Sequence, residues 1–247
     1  ADPAEADNYA GRDIKSLPAA IDVLMKEIYR RLSAIRPDVL IEFRQRYIGP
    51  AMRQYGNMFR AGDCPADMQG NRQRIANLRL TSGESAVHSD MLEWNLAETP
   101  ENAARHILSA LFGVVQYSMM LGELPENHTK VIRHWLDFSQ KHRETLLKSE
   151  FRPYHPEKCY PVIEAESDDE LIVAVYDDMS VPEMKTSGKR TYIINASGAP
   201  SLVLDMPAAP RRVVAYDVYG HEAAAPEIVK GVQRVAIPLS GYLQIEY

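Results

Sequence analysis

The apolar pattern changes period partway along the 247-residue chain, and this change constrains the fold more than any other feature. Up to about residue 150, helical stretches alternate with short apolar runs. "SLPAAIDVLMKEIYRRLSAI" opens with Ser16 as a helix cap and Pro18 in the first turn. Ile21, Leu24, Met25, Ile28, Leu32 and Ile35 recur on one face, which predicts a helix with an apolar stripe for packing. "VLIEF" (39–43) is short, apolar and bounded, as a buried strand is. "YGNMF" is a weaker second strand, "AVHSDMLEW" a third and "VVQYSM" a fourth. Between them "MQGNRQRIANLRL" and "TPENAARHILSALFG" read as helices, the latter with a Thr99 cap, Pro100 at its first position and Gly113 at its end. "LPENHTKVIRHWLDFSQKHRETLL" predicts one long closing helix.

Strands and helices alternating with short connections predict a parallel sheet with helices packed outside it. A complete eight-stranded barrel of this kind takes roughly 250 residues. Residues 1–150 show four strands, so they read as the second half of a (β/α)8 barrel. From residue 151 the texture becomes all-β. "ELIVAVYDD", "KRTYIINAS", "PSLVLDM", "RRVVAYDVYG", "VQRVAIPL" and "GYLQIEY" are separated by Gly, Pro, Asn and Asp. Residues 151–247 therefore predict an antiparallel β-sandwich, with the boundary falling near 151–161.

Composition narrows the function classes. Hydrophobic residues make up 45% and charged residues 25%, a globular profile, and the net charge of −6 offers no basic stripe for nucleic acid. Cys64 and Cys159 make no disulfide framework, and no Cys/His cluster has zinc spacing. No apolar run reaches the ~20 residues of a membrane helix. "ADPAEADNYAGRD" lacks a signal-peptide core and reads as a cut N-terminus, compatible with a cytoplasmic or a periplasmic protein.

In βα barrels the chemistry lies at the C-terminal ends of the strands. The residues expected there are Glu42, Arg44 and Gln45, then Arg60 and Asp63, then His88, Asp90, Glu93 and Trp94, then Gln116, Tyr117 and Ser118. Acids and amides that bind hydroxyls, beside aromatics that cover a ring face, suit a sugar. In "FRAGDCPAD", Asp63 follows a glycine expected to make a tight turn and precedes Pro65, which could start the next helix. A carboxyl held there could serve as general acid/base, one of the two that glycoside hydrolysis needs. The same residue could equally be a helix cap or Asx-turn. Glu42 and Arg44 could be an ordinary ion pair, Trp94 and Tyr117 packing residues, and His88 a structural histidine. His106, His128, His134 and His142 read as solvated or paired positions on helices.

Three blocks, "IEFRQ" (41–45), "FRAGDCP" (59–65) and "HSDMLEW" (88–94), with the helices that follow them, resemble the C-terminal half of the catalytic barrel of melibiase-type α-galactosidases, in the clan of retaining α-glycosidases. The β segment resembles their C-terminal sandwich. The resemblance implies removal of a terminal α-linked galactose by double displacement, with Asp63 as acid/base. Glu42 and Arg44 would lie in the substrate pocket, lined also by Arg60, His88, Asp90 and Trp94. No metal or organic cofactor is implied. The family's nucleophile sits in a Lys-x-Asp strand motif, which this sequence lacks. The chain therefore reads as a fragment, inactive alone, whose partner is the missing N-terminal half of the barrel or another chain. Its ligand would be an α-galactoside oligosaccharide, and a homo-oligomer is compatible. Two alternatives stand: a non-catalytic sugar-binding or structural remnant, and a related α-glycosidase acting on another hexose.

Overall fold

The computed structural model describes residues 13–14, 16–44, 50–185 and 188–247. Gln45, named above, lies outside them. Helix α1 (Leu17–Ile35) starts as expected: the Ser16 side chain accepts from the Ala19 amide, with proline in the first turn. Strands β1 (Glu42–Phe43), β2 (Met58–Arg60), β3 (Ala86–Leu92) and β4 (Val114–Tyr117) form one sheet in that order, all parallel. Helix α2 (Met68–Ser82) joins β2 to β3, and α3 (Pro100–Ser109) joins β3 to β4. Thr99 caps α3 by accepting from the Asn102 amide.

Three of these elements differ from the sequence expectation. The buried strand expected over 39–43 is only Glu42–Phe43, neither residue is buried, and Leu40 is exposed. The stripe on α1 is not packed: no residue of the helix is buried, and Ile21, Leu24, Ile28, Leu32 and Ile35 are all exposed. The helix is tethered to the rest of the chain by the Tyr55 hydroxyl, which donates to Asp22 at 2.5 Å. The closing helix is two helices, α4 (Glu126–Lys141) and α5 (Arg143–Lys148), broken at His142. There the backbone leaves helical geometry (φ −105°, ψ 20°), and the ring is within hydrogen-bond distance of Glu170, 2.9 Å from Nδ1 to Oε2. Burial of that side-chain contact accompanies the break.

The C-terminal region contains a seven-stranded sheet. Its strands are β5 (Glu150–Tyr154), β6 (Val162–Glu166), β7 (Glu170–Val175), β8 (Arg190–Asn195), β10 (Arg212–Tyr216), β11 (Glu222–Ala223) and β13 (Tyr242–Glu246). Their order is β11-β10-β13-β8-β7-β6-β5, and β9 (Ser201–Met206) pairs with β12 (Gly231–Ala236) as a separate ladder. The pairing is antiparallel except between β7 and β8, which run parallel, a departure from the antiparallel expectation for this region.

Two apolar cores explain the sequence texture. Alternate residues of the large sheet point to opposite faces. Leu171, Val173, Val175, Ile193, Leu243 and Ile245 meet Leu202, Leu204, Met206 and Val235 of the β9–β12 ladder. Ile172, Ala174, Tyr192, Ile194 and Tyr242 face the other way and join one cluster with Phe59, Ile75, Leu108, Trp135 and Phe138. Central strand β7 is buried on both faces, which is why "LIVAV" is continuously apolar rather than alternating.

Candidate active site

The site is built on the turn from β2 into α2. Past Arg60 the chain stays in register with β3 for one more residue, with the Ala61 amide donating to the His88 carbonyl at 2.9 Å. The turn Gly62-Asp63-Cys64-Pro65 follows. Gly62 is not what makes it tight: its φ is not left-handed, and an added Cβ would stand 3.7 Å from the Arg44 carbonyl, an ordinary contact.

Side chains from neighbouring elements hold the turn instead. Asp90 Oδ2 accepts from the Cys64 amide at 2.5 Å. Asn71, fully buried on α2, donates to the Cys64 carbonyl at 2.7 Å and accepts from the Asp90 amide at 2.9 Å. Arg74 Nη1 donates to the carbonyls of Gly62 and Asp63 at 2.6 and 3.0 Å. Asn71 and Arg74 are three residues apart and share a helix face. Sequence reading missed both. Their i, i+3 spacing behind the Gly-Asp-Cys-Pro turn was the available signal.

The capping alternative for Asp63 fails. The residue that caps α2 is Asp67, whose Oδ1 accepts from the Gly70 amide at 2.8 Å. Among the described residues the Asp63 carboxylate makes no hydrogen bond or ion pair, and it is exposed at the strand end.

Beside this turn lies a charged cluster. Arg60 is 5% exposed, with its guanidinium 3.9 Å from both Glu42 and Asp90, and Nε has no hydrogen-bond partner. Glu42 Oε2 lies 2.8 Å from His88 Nδ1, and Gln116 Nε2 lies 3.0 Å from the same nitrogen. A carboxylate only accepts, so His88 Nδ1 carries the hydrogen and donates it to Glu42, and it does not also accept from the Gln116 amide, whose Oε1 has no partner among the described residues. Glu42 thus pairs with His88 and Arg60 rather than with Arg44, which is exposed. A register shift between His88 and Met91 separates the two roles on β3: His88 reaches Glu42, whereas Asp90 turns in to Arg60 and Cys64.

Trp94 belongs to the core. It is 5% exposed, stacks on His106, meets Tyr117 edge-on, and donates its indole N–H to His128 Nδ1 at 3.2 Å. His128 Nε2 in turn lies 2.9 Å from the Glu98 carbonyl oxygen. His106, His128 and His142 are buried and His134 half-buried, and desolvation holds His106, His134 and His142 below the usual imidazole range. Burial likewise pushes the Cys64 thiol and the Tyr117 phenol up. Of the expected residues, the structure gathers Glu42, Arg60, His88 and Asp90 into one network beside Asp63. Arg44 stands apart from that network and Trp94 is packed in the core.

Two sizeable cavities lie away from this rim. One, of about 680 Å³, sits between Arg79, Val87, Val114 and Phe151 at the opposite ends of β3 and β4. The other, of about 540 Å³, lies against β5 and β6. Among the described residues no group of three or more His, Cys, Asp or Glu could hold a metal ion, and no helix is long and apolar enough to cross a membrane.

No protein-family model matches the chain, and no curated protein matches it. Among solved structures, the chain is similar to the galactosidase domain of an alpha-galactosidase-sucrose kinase, AgaSK, with a TM-score of 0.50 at 15% identity. The superposition covers 90% of this chain and 31% of that one, so the chain spans under a third of its neighbour's length. At this identity the likeness concerns the fold: a mixed α/β chain, with a parallel sheet and large β-sheets, arranged loosely as in a galactosidase domain.

Proposed function

We propose that this chain is part of a retaining α-glycoside hydrolase acting on terminal α-linked galactose, with Asp63 as its acid/base. In this reading residues 1–150 are the second half of a (β/α)8 barrel and residues 151–247 a β-sandwich. The nucleophilic carboxylate comes from outside these residues, in the same polypeptide or a partner chain. The observation that carries the reading is the state of Asp63. Its carboxylate is unpaired and exposed at a parallel-strand end, while four residues downstream Asp67 does the capping. A free carboxyl on a turn clamped by Asp90, Asn71 and Arg74 is positioned for proton transfer and has no structural task. The unpacked face of α1 and the edge of β1 that is unpaired among the described residues supply the surface against which a completing segment would pack.

In the first half-reaction Asp63 would protonate the glycosidic oxygen as the external carboxylate attacks the anomeric carbon. In the second it would take a proton from the water that releases galactose. Glu42 and Arg60, beside the turn, would meet sugar hydroxyls. The chain alone should not turn over an aryl α-galactoside. In the complete enzyme, Asp63→Asn should slow an alkyl α-galactoside far more than an aryl one with an acidic leaving group, which needs little protonation. Equal losses on both substrates would reject the acid role.

A further inference from the structure

The 540 Å³ cavity lies between the start of β6, the loop after β5 and the segment 179–185. We propose that it is a second ligand site, separate from the Asp63 rim, that binds the hydroxyl groups of a neutral saccharide.

Its floor is a buried carboxylate. Glu164 is 4% exposed, and its Oε2 accepts from Arg152 Nε at 3.1 Å and from the Tyr154 hydroxyl at 2.8 Å. No hydrogen bond to its other oxygen occurs among the described residues, and the residue lines the cavity. Burial and the Glu164 carboxylate both push the Tyr154 phenol up, so it remains a donor held in place.

Around this floor stand Lys158, Lys185 and Glu183, none of whose side chains forms a hydrogen bond or salt bridge among the described residues. Charges of both signs that line one space without pairing across it leave donors and acceptors side by side. A vicinal diol satisfies both at once, since each hydroxyl donates and accepts. Val162, Val181, Pro182 and Met179 supply the apolar surface that the C–H face of a sugar ring needs.

The walls are fixed rather than loose. Pro182 and Met184 are buried, the Met184 amide donates to the Asp205 carbonyl at 2.9 Å, and the Asp205 amide donates to the Pro182 carbonyl at 3.2 Å. In the opposite wall, His155, Cys159 and Tyr160 adopt left-handed backbone (φ 59°, 58° and 57°), a conformation that non-glycine residues keep only when their surroundings enforce it. Here α2 enforces it: Arg72 Nε donates to the Cys159 carbonyl at 2.9 Å, and the Tyr160 hydroxyl donates to Asn77 at 2.6 Å. The strained loop presents His155 and Lys158 to the cavity already ordered.

The test is a titration of the full chain with galactose, sucrose and a galactose-containing trisaccharide, read by calorimetry and by amide shifts. At least one sugar should bind at millimolar concentration or tighter and move the amides of 154–164 and 179–185. Lys158→Ala and Lys185→Ala, both remote from the cores, should each weaken binding about tenfold, as for a lost charged hydrogen bond. Asp63→Asn should leave this binding unchanged, which separates the site from the rim and from the hydrolase reading. The proposal is overturned if no sugar moves these amides, if the lysine variants bind as wild type, or if Asp63→Asn abolishes binding. Capture of a free amino acid in place of every sugar would also overturn it, because a zwitterion matches the same charges.

Discussion

Three aspartates meet at the turn that carries the candidate acid, and the structure assigns them very different energetic weights. Replacing Asp90 by alanine leaves the buried Cys64 amide without its 2.5 Å acceptor, at a cost of about 1–3 kcal/mol. It also leaves the Arg60 guanidinium, already lacking a partner at Nε, with Glu42 alone at 3.9 Å. Breaking a buried ion pair costs about 3–5 kcal/mol, and the loose 3.9 Å separation from Asp90 puts this one at or below the lower end. Asp90→Ala should therefore cost about 3–5 kcal/mol in all. Asp67→Ala removes one helix cap and should cost about 1 kcal/mol. Asp63→Ala removes an exposed, unpaired carboxylate and should stay within about 0.5 kcal/mol of wild type. Urea unfolding followed by circular dichroism measures all three on one scale. Asp90→Asn, which keeps an acceptor for the amide, should recover part of the loss. If Asp90→Ala costs no more than Asp67→Ala, the turn is not held by Asp90, and the argument that Asp63 rests on a rigid support fails.

Two further outcomes follow from buried groups. His106, His134 and His142 have folded-state pKa values lowered chiefly by burial. The unfolded chain therefore binds more protons, so this stability is fully present above the unfolded pKa of about 6.5 and is lost as pH falls through the folded values. The unfolding midpoint should drop between about pH 7 and pH 5, and a flat or rising profile in a pH series would refute it. Trp94→Phe should leave His128 Nδ1, in a residue with no exposed surface, without its donor, costing about 1–3 kcal/mol. Weakened saccharide affinity with unchanged stability would instead place Trp94 in the ligand pocket.

Much of the local structure was legible because it depends on neighbours in sequence. Ser16 and Thr99 could be identified as caps from residue type and position, and both accept the expected amides. The parallel order of β1 to β4 followed from strand and helix alternating with short connections. For Asp63 the sequence left a helix cap or Asx-turn beside the acid/base role. Both Asp63 and Asp67 have the right chemistry for a cap, and only the start of the helix decides between them.

By itself, then, the sequence determined where most helices and strands form, though not the break at His142 or the extent of β1, since propensity, capping and periodicity act within a few residues. Tertiary structure decided what each side chain does. The α1 stripe is helical but unpacked, because burial needs a second surface that periodicity cannot supply. The helix break at His142 coincides with a contact to Glu170, 28 residues away. Asp90 supports the turn through the Cys64 amide beside a register shift between β3 and β4, and Asn71 and Arg74 join it through contacts across the fold. Such contacts are set by packing geometry between elements distant in sequence, which no local pattern encodes.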